Sequence, residues 1–515
     1  MTTCCPECGA SLWAAYTNRR TVVTLDGAVR LVVQVRRCRQ TDCPRHGRPL
    51  RPEAEGRLVL PEHEFGLDLI ALVGALRYTQ HRSIPEIHAE VIRRGVTICQ
   101  RSVTNLLDRY DELLALSLAD TDRLRRVTER EGRVILAIDG LQPDVGHEVL
   151  WVLRDCLSGE VLLARSLLSS TQDDLARLIT EVKEALTVPI VGVVSDGQDS
   201  IRKAVKKALD GVPHQLCHFH YLREAAKPIF EADRHAKKEL KKRVRGVRPI
   251  ERQVEGRDDP EAKAVQGYCA AVRSALTDDG RPPLSAPGLV LKGRLEAVVQ
   301  SLDRVEGKGG LPTELTRLRL LLSGGLSATA ALWVPVEAAH DWVFRAAAIL
   351  ANVAGLTGAA VKASYRGLLG AMARHGERAG SLGGALAHFR KVTRSYWPGL
   401  FHCYEVPDLP RTDNDLEQLF GAHRYHERRS SGRKVASPGL VVRGSVQLPA
   451  ALATRLRGEV RGEDLIPSDL EAWRELCTSL ERRQAVRAQG RRFRRDPAAY
   501  LQELEDALIK GTLPP

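Results

Sequence analysis

The sequence has no run of about eighteen apolar residues, so hydropathy gives no membrane span. Its opening residues, MTTCCPEC, lack the apolar core of a secretory signal. No strongly amphipathic basic helix stands out, which makes a membrane surface the weaker candidate partner. Acids are also short: 64 Asp and Glu face 77 Lys and Arg, giving a net charge of +13 and a pI near 9.3. That imbalance points to a polyanionic partner, nucleic acid first. With no export signal, a cytoplasmic location is expected. The 11 cysteines are then expected to be metal ligands or buried thiols rather than disulfides. What is present is ample: 515 residues, 43% hydrophobic and 27% charged, enough for two to four domains with large cores.

Five cysteines crowd into the first 43 residues. CPEC supplies Cys5 and Cys8, and CRQTDCPRH supplies Cys38 and Cys43. Two short knuckles, each offering two thiolates, suit one tetrahedral zinc. Cys4 and His46 are alternative ligands. Between the knuckles, TVVTL and AVRLVVQV read as strands joined by an Asp26-Gly27 turn. The expectation is a zinc ribbon, a folding and binding device.

Residues 65–118 read as helical. SIPEIHAEVIRRG has a Ser83 cap, Pro85 in its first turn and a stop at Gly95. VTICQRSVTNLLDRY follows with a short turn and a further helix. Helix, Gly-containing turn, helix is the outline of a helix-turn-helix, although an ordinary helical hairpin has the same outline. The second helix presents Gln100, Arg101, Thr104 and Asn105, types that bond phosphates or base edges.

After the charged LRRVTEREG the texture changes. RVILAIDG is an apolar run ending in Asp139, and EVLWVLRDCLSG and EVLLARSLLSS read as antiparallel strands turning near Ser158-Gly159. An amphipathic helix follows, then VPIVGVVSDG, a strand ending in Asp196, and a helix behind it. This order is that of an RNase H-like domain, whose first and fourth strands lie side by side. Two carboxylates at adjacent strand ends repel unless they share a divalent cation. Alone, each is also an ordinary Asp-Gly turn. A third acid is needed, and TDNDLEQLF offers Glu417. Asn414 there reads as an N-cap with Glu417 three residues on, a capping box in form.

The stretches AIDGLQP, VVSDGQDSIRKAV, CHFH and RTDNDLEQLFGAHRYHERRSSGRK resemble the DDE transposases of bacterial insertion sequences, over roughly residues 130–435. The likeness is greatest to members of Mutator-like organisation, whose catalytic domain is interrupted by a helical insertion. The resemblance implies a catalytic triad of Asp139, Asp196 and Glu417 holding two Mg²⁺ ions, or Mn²⁺, for DNA strand cleavage and strand transfer. It implies binding to double-stranded DNA at terminal inverted repeats and target, a homodimer or larger synaptic assembly, and a nucleoid-associated location. Glu417 lies 221 positions (417 − 196) after Asp196, which the insertion accounts for. That group carries a Cys-x-x-His element after the second Asp, matched by Cys217 and His220. A structural or DNA-positioning role is read for the pair over metal ligation, with His218 the weaker candidate. Arg424, Arg428, Arg429, Arg433 and Lys434, just after Glu417, are placed to hold phosphates. RRQAVRAQGRRFRR near the C-terminus could track backbone too. Trp397 reads as core or linker packing, with stacking on an unpaired base as the alternative.

The expected architecture is multidomain α/β. Residues 1–60 form a zinc ribbon and 61–128 a helix-turn-helix segment. Residues 129–221 are the first part of an RNase H-like core, 222–405 an all-α insertion, 406–450 the second part of the core, and 451–515 a basic helical tail. The alternatives are a catalytically silent, domesticated DNA-binding regulator and a nuclease that cuts without joining.

Overall fold

A computed structural model describes residues 3–142, 148–277, 280, 283–433 and 438–512. The chain forms two units, one of Met1–Val191, Lys203–Asp210 and Asn414–Pro515, the other of Gly192–Arg202 and Gly211–Asp413.

The first unit opens with an antiparallel hairpin, β1 (Leu12–Thr24) and β2 (Gly27–Cys38). Thr24 pairs with Gly27, so the turn residues are Leu25 and Asp26, one position earlier than the sequence reading had them. Helices α1 (Glu53–Leu58), α2 (Leu67–Tyr78), α3 (Ile84–Arg93), α4 (Gln100–Leu118) and α5 (Thr121–Glu131) follow. Helix α3 carries a full capping box between Ser83 and Glu86 and ends before Gly95, whose φ of 85° permits the turn into α4. Next along the chain come β3 (Val134–Leu141), β4 (Val149–Asp155), β5 (Val161–Leu167), α6 (Gln172–Ala185), β6 (Ile190–Ser195), α7 (Asp199–Ala208) and β7 (His214–Leu216), of which β7 and most of β6 belong to the second unit. The sheet order is β5-β4-β3-β6-β7; β3, β4 and β5 pair antiparallel and β6 pairs parallel with β7. The fold is thus mixed α/β and mostly helical, and the expected strand-helix alternation is present.

The second unit is built around α8 (His218–Ala225), α9 (Lys227–Arg243), α10 (Val247–Arg252), α11 (Pro260–Thr277), α12 (Pro287–Gly309), α13 (Thr313–Ala351), α14 (Gly358–His375) and α15 (Gly383–Tyr396). The described residues of 222–405 form helices, and the compact unit also takes in residues 192–202, 211–221 and 406–413. The segment SYWPGLFHCYEVPDLP is not an open linker. Leu400 and Phe401 are buried in the core of this unit, and half-buried Trp397 packs edge-on against Phe401. Helix α13 is long and apolar enough to cross a membrane by length and composition. No uninterrupted apolar run marks it, because Gly, Ser and Thr dilute the stretch. Leu318, Leu322, Trp333, Val343 and Leu350 of α13 are buried in the helical cores.

The chain returns to the first unit with α16 (Asn414–Ser431), α17 (Pro438–Arg457), α18 (Leu470–Arg495) and α19 (Pro497–Thr512). Residues 451–515 are not simply a tail. Ala450, Ala451, Ala453, Val460, Leu465 and Trp473 complete the hydrophobic core of α2, α3 and α4. Polar bonds follow the same route. Buried Glu112 of α4 accepts from Arg443 of α17 at 3.0 Å and from the Trp473 indole of α18 at 3.2 Å. Tyr110 meets Thr454 hydroxyl to hydroxyl at 2.6 Å.

Beside this network the Tyr78 hydroxyl donates to buried Asp111 at 2.6 Å. Burial pushes the Asp111 carboxyl up to about 7, against the pull of Arg443. A carboxyl raised on folding stabilises fully below its unfolded value near 4, and that contribution is lost as pH rises through the folded value. Asp111→Asn keeps an acceptor for Tyr78 and removes the titration. Its stability relative to the parent should therefore rise by on the order of 2–3 kcal/mol between pH 5 and pH 8, read from urea midpoints. An unchanged difference across that window would contradict the assignment.

Candidate functional site

The four cysteines at the open end of the β1–β2 hairpin converge. The Sγ atoms of Cys5, Cys8, Cys38 and Cys43 all lie within 4.8 Å of one another, the one group of three or more such ligands among the described residues. Cys5 and Cys43 are 3.7 Å apart and Cys8 and Cys38 3.6 Å. Tetrahedral zinc with Zn–S bonds of about 2.3 Å needs sulfurs about 3.8 Å apart, so the donor set fits the ion. The electrostatics agree. The Cys8 backbone N–H holds the Cys5 thiol down to about 7. The Arg45 N–H also favours the Cys43 thiolate, but burial and the neighbouring sulfurs outweigh it and push Cys43 up to about 12. Four sulfurs this close would share a cation as thiolates. Cys4 is exposed and outside the group, and His46 enters only through its backbone, donating N–H to the Cys43 carbonyl at 2.8 Å.

The three acids are each held by local geometry. Asp139 is half-buried within β3 rather than at its end. It pairs with Val152 in register, and the strand runs on because buried Leu141 still pairs with Leu150. One Asp139 oxygen accepts from the Gly140 N–H at 2.7 Å. Glu417 lies in the first turn of α16, which packs against β3 in the same unit. The helix already includes Asn414, so the cap position falls on Asp413 and Glu417 stands a residue beyond capping-box spacing. Asp415 pairs with Arg154 at 3.6 Å.

Asp196, in the second unit, follows β6 directly. It accepts from the Gln198 N–H at 2.8 Å, and its carbonyl accepts from the Tyr396 hydroxyl at 3.2 Å. The next residue, Gly197, has φ of 88°, and a Cβ there would lie 2.6 Å from the Tyr396 ring, so only glycine fits this turn.

Cys217 is buried at the cap of α8 and ties two segments of the second unit. Its N–H donates to the Ser195 carbonyl at 2.8 Å, and its sulfur accepts from the Asp413 N–H at 3.4 Å. Burial pushes the thiol up to about 11, which keeps it protonated. His218 donates its backbone N–H to Arg411 and its Nε2–H to the Leu400 carbonyl at 2.7 Å. Burial lowers the His218 pKa to about 4. His220 is half-buried beside Phe219. This geometry holds the chain just ahead of α16.

The basic residues after Glu417 divide by face. Arg424, Arg428, Arg429 and Arg433 are exposed and carry no ion pair among the described residues; Lys434 lies outside the described residues. The opposite face, which sequence reading missed, buries His423, His426 and Glu427. His426 Nδ1 meets His81 Nδ1 at 2.9 Å, and Arg77 pairs with Glu427 at 3.7 Å. Burial lowers the His423 pKa to about 4 and that of His426 to about 2, so both are neutral at neutral pH. The signal for this face was present in the i, i+3 spacing of the two histidines.

On α4, Gln100, Arg101 and Asn105 are exposed, while half-buried Thr104 spends its hydroxyl on the Gln100 carbonyl at 3.2 Å. In α18 the arginine-rich stretch is largely exposed, yet Arg483 is engaged by Glu148 and Arg492 by Glu503.

No protein-family profile and no curated protein matches this chain.

The cysteine cluster should bind one zinc per chain. Cys8→Ser should release it and expose the amides of β1 and β2 to hydrogen exchange, while the amides of α2–α4 stay protected. Zinc content unchanged by the substitution would count against these ligands.

Proposed function

We propose that the protein is a DNA transposase that cleaves insertion-sequence ends and transfers the freed strands, built on an RNase H-like core with a zinc ribbon and helix-turn-helix ahead of it. The observation that carries this reading is the packing of α16 against β3, which brings the element bearing Glu417 onto the strand bearing Asp139. Asp196, which directly follows β6, is the remaining acid of the triad that the resemblance implies.

The donor set is all carboxylate oxygen, which suits Mg²⁺ or Mn²⁺. When bound, two such ions supply a polarised water or 3′-hydroxyl and neutralise charge on the transferring phosphate. The chain's own part is orientation. The Gly140 and Gln198 N–H groups aim the two aspartates. Cys217 fixes the segment leading into α16. Arg424, Arg428, Arg429 and Arg433 hold backbone phosphates on the exposed face of that helix. Gln100, Arg101 and Asn105 read the terminal repeats from α4, and a homodimer or larger assembly holds two ends together.

Cleavage of a duplex carrying the element's end, in Mg²⁺, should fall roughly a thousandfold or more in Asp196→Asn, with DNA binding retained. A variant that cuts as fast as the parent would sink the assignment. Cutting without joining in a strand-transfer assay would mark a nuclease instead.

A further inference from the structure

Helix α9 of the second unit carries a row of cations unrelated to the carboxylate triad. Arg234, Lys237, Lys238, Lys241 and Lys242 recur at three- and four-residue spacing, and Arg245 continues the row in the turn beyond. They line one side of a cavity of about 580 Å³, whose apolar wall includes Phe230 and Pro287. No acid lines it among the described residues.

Two described acids of α9 already have partners, one of them a member of the row. Asp233, one residue from Arg234, is buried and accepts from the Gly288 and Leu289 N–H groups at 2.7 and 2.9 Å, serving the first turn of α12. Glu239 pairs with Lys242 at 2.6 Å. Arg234, Lys238, Lys241 and Arg245 make no ion pair among the described residues. An ordinary solvated face interleaves both signs along a helix. Among the described residues the charged groups lining this concavity are of a single sign, which focuses potential and favours an anion.

We infer that this cavity is a binding groove for the phosphodiester backbone of duplex DNA, separate from the proposed reaction centre. Length decides for a polymer over a small anion. Arg234 to Lys242 spans about 12 Å of helix. Duplex DNA presents a phosphate on each strand about every 3.4 Å of its axis, so a row laid along that axis covers three or four phosphate steps. A single free phosphate would occupy only a fraction of it. The inference concerns binding alone and stands whether or not the protein cuts DNA.

The test uses the full chain and fluorescence anisotropy on a duplex of about three helical turns, across a salt series. Replacing Arg234, Lys238, Lys241 and Arg245 with Ala should reduce the slope of log K against log salt by about 3. It should also weaken binding at least tenfold at low salt. Replacing Arg390, Lys391 and Arg394 with Ala, an exposed basic set elsewhere in the same unit, should change the slope by less than one. Swapping each groove lysine for Arg and each arginine for Lys should restore the parent slope, excluding a folding defect. Equal slopes in parent and groove variant would overturn the inference, as would equal losses in both alanine sets. So would tight binding of inorganic triphosphate that the groove variant loses while its DNA binding is unchanged. Asp196→Asn, which should lose cleavage and keep the parent slope, separates failure of the catalytic reading from failure of this one.

Discussion

Glu112 is the buried charge on which the first unit turns. It sits near the middle of α4, about 2% exposed, and receives Arg443 from α17, Trp473 and Cys477 from α18, and Arg109 from its own helix. A lone carboxylate so placed would be very costly, and removing one partner of such a pair costs about 3–5 kcal/mol. The network therefore requires the C-terminal helices to lie against α4. Helix α17 also packs on β4 and β5. The helical segment near the N-terminus and the sheet are thus joined through residues more than 300 positions apart in sequence.

That tie explains why α16 has two unlike faces. Its inner side meets the end of α2, where His81 and Arg77 engage His426 and Glu427. The histidines stay neutral because burial and the surrounding arginines penalise their charged forms. With that side committed, Arg424, Arg428 and Arg429 are left facing solvent. Their exposure is a consequence of what the other half of the helix buries.

Much of this was legible from local pattern. The paired Cys knuckles, the strand-helix order and the capping box of α3 each rest on residues near one another in sequence, so spacing alone located them. The interior position of Asp139 was not visible, because an Asp-Gly pair reads as a strand end and only the Leu141–Leu150 pairing shows the strand continuing. The role of residues 451–473 was hidden for a different reason. Ala450, Ala451, Ala453 and Trp473 look unremarkable beside an arginine-rich run, and only the long-range partners on α4 make them core. Likewise the division of the chain follows packing rather than composition, so the helical unit begins within β6 and not after the CHFH motif.

The identity of Glu417 is the point at which pattern and structure part most usefully. Read from sequence, an acid three residues after Asn414 has a sufficient structural reason as a capping-box partner. The chain does use that device at Ser83 and Glu86, where the carboxylate accepts from the cap's N–H at 2.7 Å. In α16 the register differs. The helix has begun by Asn414, buried Leu416 takes the third helical position, and Glu417 falls on the fourth. The favourable charge for the helix N-terminus is already supplied by Asp415. Glu417 is thus a second first-turn acid of α16 rather than the partner of a capping box. Under the proposed function, its place on a helix packed against the Asp139 strand supplies a further reason for an acid there.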